Sequence, residues 1–208
     1  MSAAPKRYVS EQDYLAGERH SDLKHEYIGG AICALAGASR SHNLIVAAVL
    51  AKLYAQLEHR KCTAYPNDLR VKVARRSAYM YPDVTVVCGE EWFEDHHNDI
   101  LLNPTVIVEV LSPSTEAYDR GKKFEQYRQL PWLREYLLVA QDRRYVEQFG
   151  RQGQDQWLLT VHSGPEAEMK LASIECHLQL ADVYRKVEFP PVADNTVQDE
   201  SAGFPTDG

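Results

Sequence analysis

The sequence lacks the long apolar runs and the leader-like start that are typical of membrane and secreted proteins. No apolar stretch in its 208 residues approaches the roughly 18–20 residues that span a bilayer. Residues 1–8 contain no apolar core of the kind found in a secretory signal. We therefore expect a protein with no membrane partner, and the cytoplasm is its predicted location.

Cysteine is scarce and dispersed. The chain has four cysteines, and none of them forms a C-x-x-C pair; they are Cys33, Cys62, Cys88 and Cys176. This spacing argues against a disulfide framework and against a zinc site. Because their neighbours are apolar, we expect the four side chains to be buried thiols.

Positive charge is also in short supply. The chain has 23 Lys and Arg against 30 Asp and Glu, which gives a formal net charge of −7. This balance argues against a protein coated in basic surface for nucleic acid, although it leaves room for a local basic cleft. No serine lies in a nucleophile-elbow context, so serine hydrolysis is not supported.

The apolar residues that are present predict one folded domain and a tail. An apolar fraction of 44% is ordinary for a globular protein, and the length suits a single domain, predicted here as residues 1–191. Residues 192–208 are polar and acidic, without a periodic apolar pattern. We expect that segment to be a disordered acidic tail.

Local patterns predict a mixed α/β domain. A capping box at Ser10–Asp13 opens an N-terminal helix, and Gly29-Gly30 joins two strands in a hairpin. Helical periodicity extends over residues 41–58. Further strands are predicted at 62–65, 69–73, 83–87, 106–111, 135–140, 145–149, 157–161 and 171–174, and further helices at 117–130 and 180–184. The order predicts a mixed β-sheet flanked by helices, with an N-terminal helix and hairpin.

The strand at 106–111 carries the most informative residue, Glu109. Ionised carboxylates are costly to bury without a cation, so Glu109 needs a basic partner or a metal. Arg70 and Lys72 are candidate partners for a structural ion pair. Asp83 opens the strand at 83–87, and two acids on adjacent strands would suit Mg²⁺, which commonly takes one or two carboxylates. Asp83 could instead cap a turn.

The helix that follows adds a cation. Asp119 and Lys123 share a helix face, and Lys123 could extend back to the end of the strand that carries Glu109. An ammonium there could orient water or offset charge on a phosphate. The same spacing is also that of an ordinary helix salt bridge, so both interpretations stay open.

These residues carry a family resemblance. Five motifs, taken together over about residues 10–174, resemble the Uma-two family, bacterial proteins classed as restriction endonucleases with the PD-(D/E)xK nuclease fold. The motifs are Glu26-Tyr-Ile-Gly-Gly, Ser41-His42, Tyr81-Pro82-Asp83-Val84, Val108-Glu109-Val110-Leu111-Ser112-Pro113-Ser114-Thr115 with Asp119-Arg-Gly-Lys-Lys123-Phe-x-x-Tyr127, and Glu135-Tyr136. The run from Glu109 to Thr115 followed by the Asp119–Lys123 helix is the specific part.

The resemblance implies a restriction-endonuclease-like core and a set of site residues. Asp83 and Glu109 would bind Mg²⁺ or Mn²⁺, with the backbone carbonyl of Val110 as a further ligand. Glu26 would support the metal or its waters. The wider superfamily has its lysine two residues after the glutamate, where this chain has Leu111. The helix lysine Lys123 would take that role, with Lys122 as its rival.

The leading hypothesis is therefore a metal-dependent DNA endonuclease that hydrolyses phosphodiester bonds in double-stranded DNA. A homodimer is expected, because two sites related by two-fold symmetry can address two strands. The alternative is a non-catalytic module that binds nucleic acid or protein on a nuclease-like scaffold. A weaker idea is an oligomerising structural protein that uses the strand region 157–161.

Several charged residues near these motifs have simpler interpretations. Glu26 could be a charge at a strand edge, and His42 could cap a helix, pack or approach the cleft, with a structural role favoured. The polar segment 94–99 is predicted to be a solvated loop. The basic residues of 70–76 could face phosphate, but such runs are more often solvated surface; they are Arg70, Lys72, Arg75 and Arg76.

Overall fold

A computed structural model describes residues 8–189. In order, the helices are α1 Glu11–Glu18, α2 Arg40–Leu57, α3 Glu116–Tyr118, α4 Phe124–Tyr127 and α5 Leu180–Val183, with a π-helical turn at Asp119–Lys123. The strands are β1 His25–Ile28, β2 Ala31–Ala34, β3 Cys62–Pro66, β4 Arg70–Val73, β5 Ala78–Met80, β6 Val84–Cys88, β7 Ile100–Leu101, β8 Val106–Val110, β9 Glu135–Val139, β10 Tyr145–Arg151, β11 Trp157–Ser163, β12 Glu168–Leu171 and β13 Cys176–Gln179.

The helix and turn signals at the N-terminus are confirmed. The Ser10 hydroxyl accepts the Asp13 backbone N–H at 3.1 Å and caps α1. Gly29 and Gly30 have φ of 54° and 92°, the conformation that a tight two-residue hairpin requires, and they join β1 to β2. These signals place Glu26 in β1, the first strand of the hairpin.

The long helix α2 covers one face of the larger sheet. Ser39 caps it by accepting the His42 N–H at 3.0 Å. Its buried residues recur every four positions, so they form one apolar stripe; they are Ile45, Val49, Leu53 and Leu57. This stripe packs against Val106, Val108 and Val110 of β8 in the main core.

The larger sheet has the strand order β11-β10-β9-β8-β6-β3. β8 pairs in parallel with β9 and antiparallel with β6, so the predicted mixed sheet is confirmed. A second sheet has the order β2-β1-β5-β4-β7. Ile107 and Leu111 of the β8 segment pack toward Val71, Val73 and Met80 of this second sheet. Glu109 lies on the same face of β8 as Ile107 and Leu111, because side chains alternate along a strand.

Some local predictions were wrong. Residues 172–174 form a 3₁₀ turn rather than a strand, and Glu175 ends it with φ of 50°. The turn connects β12 to β13, a short hairpin that the sequence did not predict. Strands β5 and β7 were also missed, because two or three residues carry too little periodicity to indicate a strand.

The prediction of four buried thiols was also wrong. Cys62 and Cys88 face each other in the β3–β6 register and form a disulfide. Cys33 is exposed, and Cys176 alone is a buried free thiol. Spacing along the chain did not indicate the disulfide, because the 26-residue separation is closed by strand pairing rather than by a local motif.

Protein purified without reductant is expected to show two free thiols in denaturant and four after reduction. Reduction is also expected to lower the free energy of unfolding by about 3 kcal/mol, since the cross-link restricts a loop of moderate length in the unfolded chain. Titration with a thiol reagent and urea denaturation measure the two effects. Four free thiols before reduction would contradict the assignment.

Among residues 8–189, no helix is long and apolar enough to cross a membrane. The predicted tail at 192–208 lies outside the described residues. The cytoplasmic location stays a prediction, and the disulfide bears against it because such bonds persist mainly in oxidising compartments.

Candidate active site

Glu109 has a buried lysine as its cation. The Lys123 ammonium lies 2.9 Å from Glu109 Oε1 and 3.1 Å from Glu26 Oε1. All three side chains are nearly inaccessible, with exposed fractions of 3–6%. The structure thus brings Glu26 together with Glu109 and Lys123, which follow it by 83 and 97 residues in the sequence.

A π-helical turn positions the lysine. The sequence predicted one continuous helix over 117–130. The observed helical segment, 116–127, widens into a π-helical turn over Asp119–Lys123 before α4 begins. Such turns are rare and occur often at functional sites. Lys123 is buried while Lys122 is exposed, so the geometry favours Lys123 over its rival. Asp119 Oδ1 lies 3.7 Å from the ammonium, so the helix salt bridge exists but is the loosest of the three contacts.

Glu26 is a buried partner of the lysine rather than a charge at a strand edge. Its Oε1 also accepts the Tyr81 backbone N–H at 3.3 Å, and its Oε2 accepts the Tyr118 hydroxyl at 3.1 Å. Both carboxylate oxygens are therefore engaged by the protein. Glu26 thus links β1, in the second sheet, to Lys123 and to the segment leading to Asp83.

Asp83 and Glu109 are cross-strand neighbours. Val84 pairs with Val108, so continuing the antiparallel register places Asp83 opposite Glu109. The Val110 backbone N–H donates to Asp83 Oδ2 at 2.7 Å, which fixes that carboxylate beside the end of β8. Val110 therefore contributes its N–H to the site; the role predicted for its carbonyl stays a prediction.

His42 is a residue that sequence analysis assigned to a structural role. Its Nε2 lies 3.1 Å from Asp83 Oδ2, and its Nδ1 is buried without a hydrogen-bond partner among residues 8–189. The cap at Ser39 starts α2 at the point that directs His42 toward Asp83. The motif Ser41-His42 was the available signal, but nothing local indicated that α2 would begin at this cleft.

Negative charge exceeds positive charge in the cluster. Burial raises the pKa of Glu109 well above its ordinary value; Lys123 opposes this shift, and the charge of Asp83 adds to it. Burial also raises the pKa of Asp119. Burial alone would lower the pKa of Lys123, but the surrounding carboxylates, chiefly Glu109, raise it well above the usual value. Lys123 is therefore charged, and ionisation of Glu109 is the costly step.

The cluster opens into a cleft of about 630 Å³. The cleft is lined by Asp83, Glu109, Lys123 and Asp119 on one side and by the segment 35–43 on the other. Ser112, Ser114 and Thr115 form its rim after β8 and hydrogen-bond to one another. A solvent-accessible pocket lined by acids and one buried ammonium suits a ligand that brings positive charge or that carries a cation.

The donor set fits a divalent cation held by two carboxylates. One oxygen of Asp83 and one of Glu109 have no hydrogen bond from the described residues, since their recorded bonds use Oδ2 and Oε1. Hard oxygen ligands and uncompensated negative charge are what Mg²⁺ and Mn²⁺ prefer. Among residues 8–189, no group of three or more acidic, histidine or cysteine side chains is arranged as a complete metal site. The remaining ligands would be water and substrate.

The other candidate cations near the site are paired elsewhere. Arg70 binds Asp99, and Lys72 lies between Glu11 and Glu94, so the predicted ion pair of either residue with Glu109 was wrong. Segment 94–99 is not simply solvated. Its acids hold Lys72, Arg70 and Arg19, which ties this loop to α1 and β4.

Comparison with known proteins identifies the family of this chain. The Uma2 family model, described as "Putative restriction endonuclease", matches residues 11–182. "Uncharacterized protein sll1609" of Synechocystis sp. (strain ATCC 27184 / PCC 6803 / Kazusa) is 36% identical over 83% of this chain and 97% of its own length. "Uncharacterized protein slr1290" of the same organism is 32% identical over 90% of this chain and 97% of its own length.

A solved structure shares the fold. The crystal structure of "a putative nuclease belonging to DUF820" from Anabaena variabilis ATCC 29413 superposes with a TM-score of 0.71 at 18% identity, covering 85% of this chain and 98% of that one. This likeness shows the fold, a mixed α/β core with mixed sheets flanked by helices. Because the family model matches residues 11–182, most of the sequence, the chain belongs to the Uma2 family.

Proposed function

We propose that the protein is a Mg²⁺- or Mn²⁺-dependent endonuclease that hydrolyses phosphodiester bonds in double-stranded DNA. The observation that carries the proposal is the meeting of Asp83, Glu109 and Lys123 in one cleft, two acids on adjacent strands and one buried ammonium. When bound, the cation would place positive charge on the phosphodiester oxygens and acidify a water molecule. Asp83 and Glu109 would hold it.

Lys123 has two roles in this proposal: it pairs with Glu26 and Glu109, and it presents a hydrogen-bond donor to the ligand in the cleft. An ammonium has three N–H donors, and hydrogen-bond distances to Glu26 and Glu109 account for two of them. The third donor is free to hold a water or a phosphate oxygen in the cleft, because Asp119 lies beyond hydrogen-bond distance at 3.7 Å. Glu26 and the Tyr127 hydroxyl, which donates to Glu109 at 3.1 Å, keep the lysine and the acid in place. His42 positions Asp83.

The test is cleavage of supercoiled plasmid with Mg²⁺, with Mn²⁺ and with a chelator. Wild type is expected to cleave only with metal, and Asp83→Ala is expected to be slower by about 100-fold or more, since a lost metal ligand removes several kcal/mol of charge stabilisation. Asp182→Ala is the matched control, because Asp182 is an ion-paired acid in α5 outside the cleft. Equal rates for Asp83→Ala and wild type would refute the assignment, and cleavage of RNA alone would refute the DNA substrate.

We propose that the active form is a homodimer. The edge strand β11 supports this, because it is unpaired on its outer side within the described residues and exposes Leu158, Leu159 and Val161. The same plasmid assay addresses the assembly. A dimer with two sites is expected to give linear DNA early in the reaction, whereas a monomer would give nicked circles first.

A further inference from the structure

A second cavity lies at the opposite end of the central strands from the cleft. It has a volume of about 320 Å³ and lies between the end of β4, the loop before β9 and the turn after β10. β8 runs from Val106 near this end to Val110 at the cleft, a distance of about 13 Å along the strand. The cavity is large enough for a small ligand, since such sites span about 300–1,000 Å³.

Arg151 lines this cavity. Its guanidinium donates to four backbone carbonyls at 2.7–2.9 Å, those of Leu133, Gln154, Arg128 and Leu130. No carboxylate within residues 8–189 forms a salt bridge with it. The positive charge is therefore fixed in place by neutral groups but is not neutralised by them.

Two more arginines add to this charge. Arg75 and Arg128 line the cavity, are exposed, and form no ion pair with any of the described residues. Arg70 and Lys72, from the same basic segment as Arg75, are both neutralised by acids. Burial, and then the positive charge of Arg134, lower the pKa of Arg151, while the charge of Asp155 opposes this shift.

An exposed indole completes the cavity. Trp132 is 44% exposed and is held edge-on by Trp92, with ring centroids 4.8 Å apart. Trp157 lies under the Arg151 guanidinium at 4.4 Å. Arginines bind phosphate through charge-assisted hydrogen bonds, and an exposed aromatic face stacks on a base. The acid on the rim, Asp155, could accept hydrogen bonds from a sugar hydroxyl.

We propose that this cavity is a nucleotide-binding site, with Arg75 and Arg128 on the phosphate and Trp132 on the base. The nucleotide can be free or can be the unpaired end of a nucleic-acid strand, because both present the same chemistry. The site is separate from the cleft and does not depend on cleavage. The sequence left Arg75 with two interpretations, solvated surface or phosphate binding. The proposal assigns Arg75 to the phosphate of a nucleotide.

Tryptophan fluorescence tests the proposal directly, because all three tryptophans of the chain lie around this cavity. AMP and a short 5′-phosphorylated oligodeoxyadenylate are titrated in the presence of a chelator, so that no cleavage occurs. Either ligand is expected to change the fluorescence. The double variant Arg75→Ala/Arg128→Ala is expected to bind about tenfold more weakly or worse, since charge-assisted contacts to phosphate are lost.

Arg185→Ala is the matched control, because Arg185 is exposed, follows α5 and does not line the cavity. Asp83→Ala separates the two sites and is expected to bind AMP or the oligonucleotide like wild type. Binding of AMP alone supports a free nucleotide as the ligand, and tighter binding of the oligonucleotide supports a strand end. No response to either at millimolar concentration, or a double variant that titrates like Arg185→Ala, would overturn the proposal.

Discussion

Replacement of Lys123 with methionine is expected to lower the free energy of unfolding by about 3–5 kcal/mol and to abolish cleavage. Within residues 8–189, Lys123 is the one ammonium paired with the buried acids Glu26, Glu109 and Asp119. Methionine fills similar volume but leaves those carboxylates without a cation, and removal of one partner from a buried ion pair costs this much. Urea denaturation of the metal-free protein gives the stability, and the plasmid assay gives the activity.

Lys122→Met provides the control one position earlier. Lys122 is exposed, so its loss is expected to change stability by no more than about 0.5 kcal/mol. If the two variants were equally stable, the buried ion-pair cluster would not contribute to folding as the geometry indicates. A Lys123→Met protein that folds fully and still cleaves DNA would remove Lys123 from the proposed mechanism.

Glu109→Gln is expected to separate stability from metal binding. The amide oxygen can still accept the Tyr127 and Lys123 hydrogen bonds. The substitution also removes one negative charge from a cluster in which carboxylates outnumber ammonium groups. The metal-free variant is therefore expected to be at least as stable as wild type. Wild type is expected to gain about 2.7 kcal/mol with Mn²⁺ at a hundred times its Kd, and the variant is expected to gain nothing. Thermal unfolding with and without Mn²⁺ measures both.

The same comparison has a defined pH dependence. The pKa of Glu109 is raised in the folded protein, so the folded state holds the Glu109 proton more tightly than the unfolded state does. The stabilisation from this proton is complete below the unfolded pKa of about 4.3 and is lost as the pH rises through the folded pKa. The stability of Glu109→Gln relative to wild type is therefore expected to increase with pH. A wild type that gains no stability from Mn²⁺ would favour the non-catalytic alternative.

The elements that carry the acids could be predicted because their patterns are local. The Val-rich run around Glu109 and the apolar stripe of α2 each contain their own periodicity. The pairing of Asp83 with Glu109 also followed from two strands of suitable spacing. Family resemblance then identified Lys123 as the cation, and the geometry agrees with that choice.

The contacts that complete the site depend on tertiary structure and could not be predicted. The approach of Lys123 to Glu109 depends on a π-helical turn that no residue type signals. His42 reaches Asp83 only because α2 begins at the cleft. The disulfide between Cys62 and Cys88 and the pairing of Arg70 with Asp99 depend on how distant segments align. Propensity and periodicity contain no information about such alignments.

The segments that supply the site have a consequence for when the protein can act. Glu26 comes from the hairpin of the second sheet, Asp83 and Glu109 from the larger sheet, and Lys123 from the connection between two parallel strands. A chain that has folded only the larger sheet would hold Lys123 beside Glu109 without Glu26, the second carboxylate within hydrogen-bond distance of the ammonium. The ion-pair cluster is therefore complete only when both sheets have folded against each other, and under the proposed function a chain with an undocked hairpin would have an incompletely held lysine.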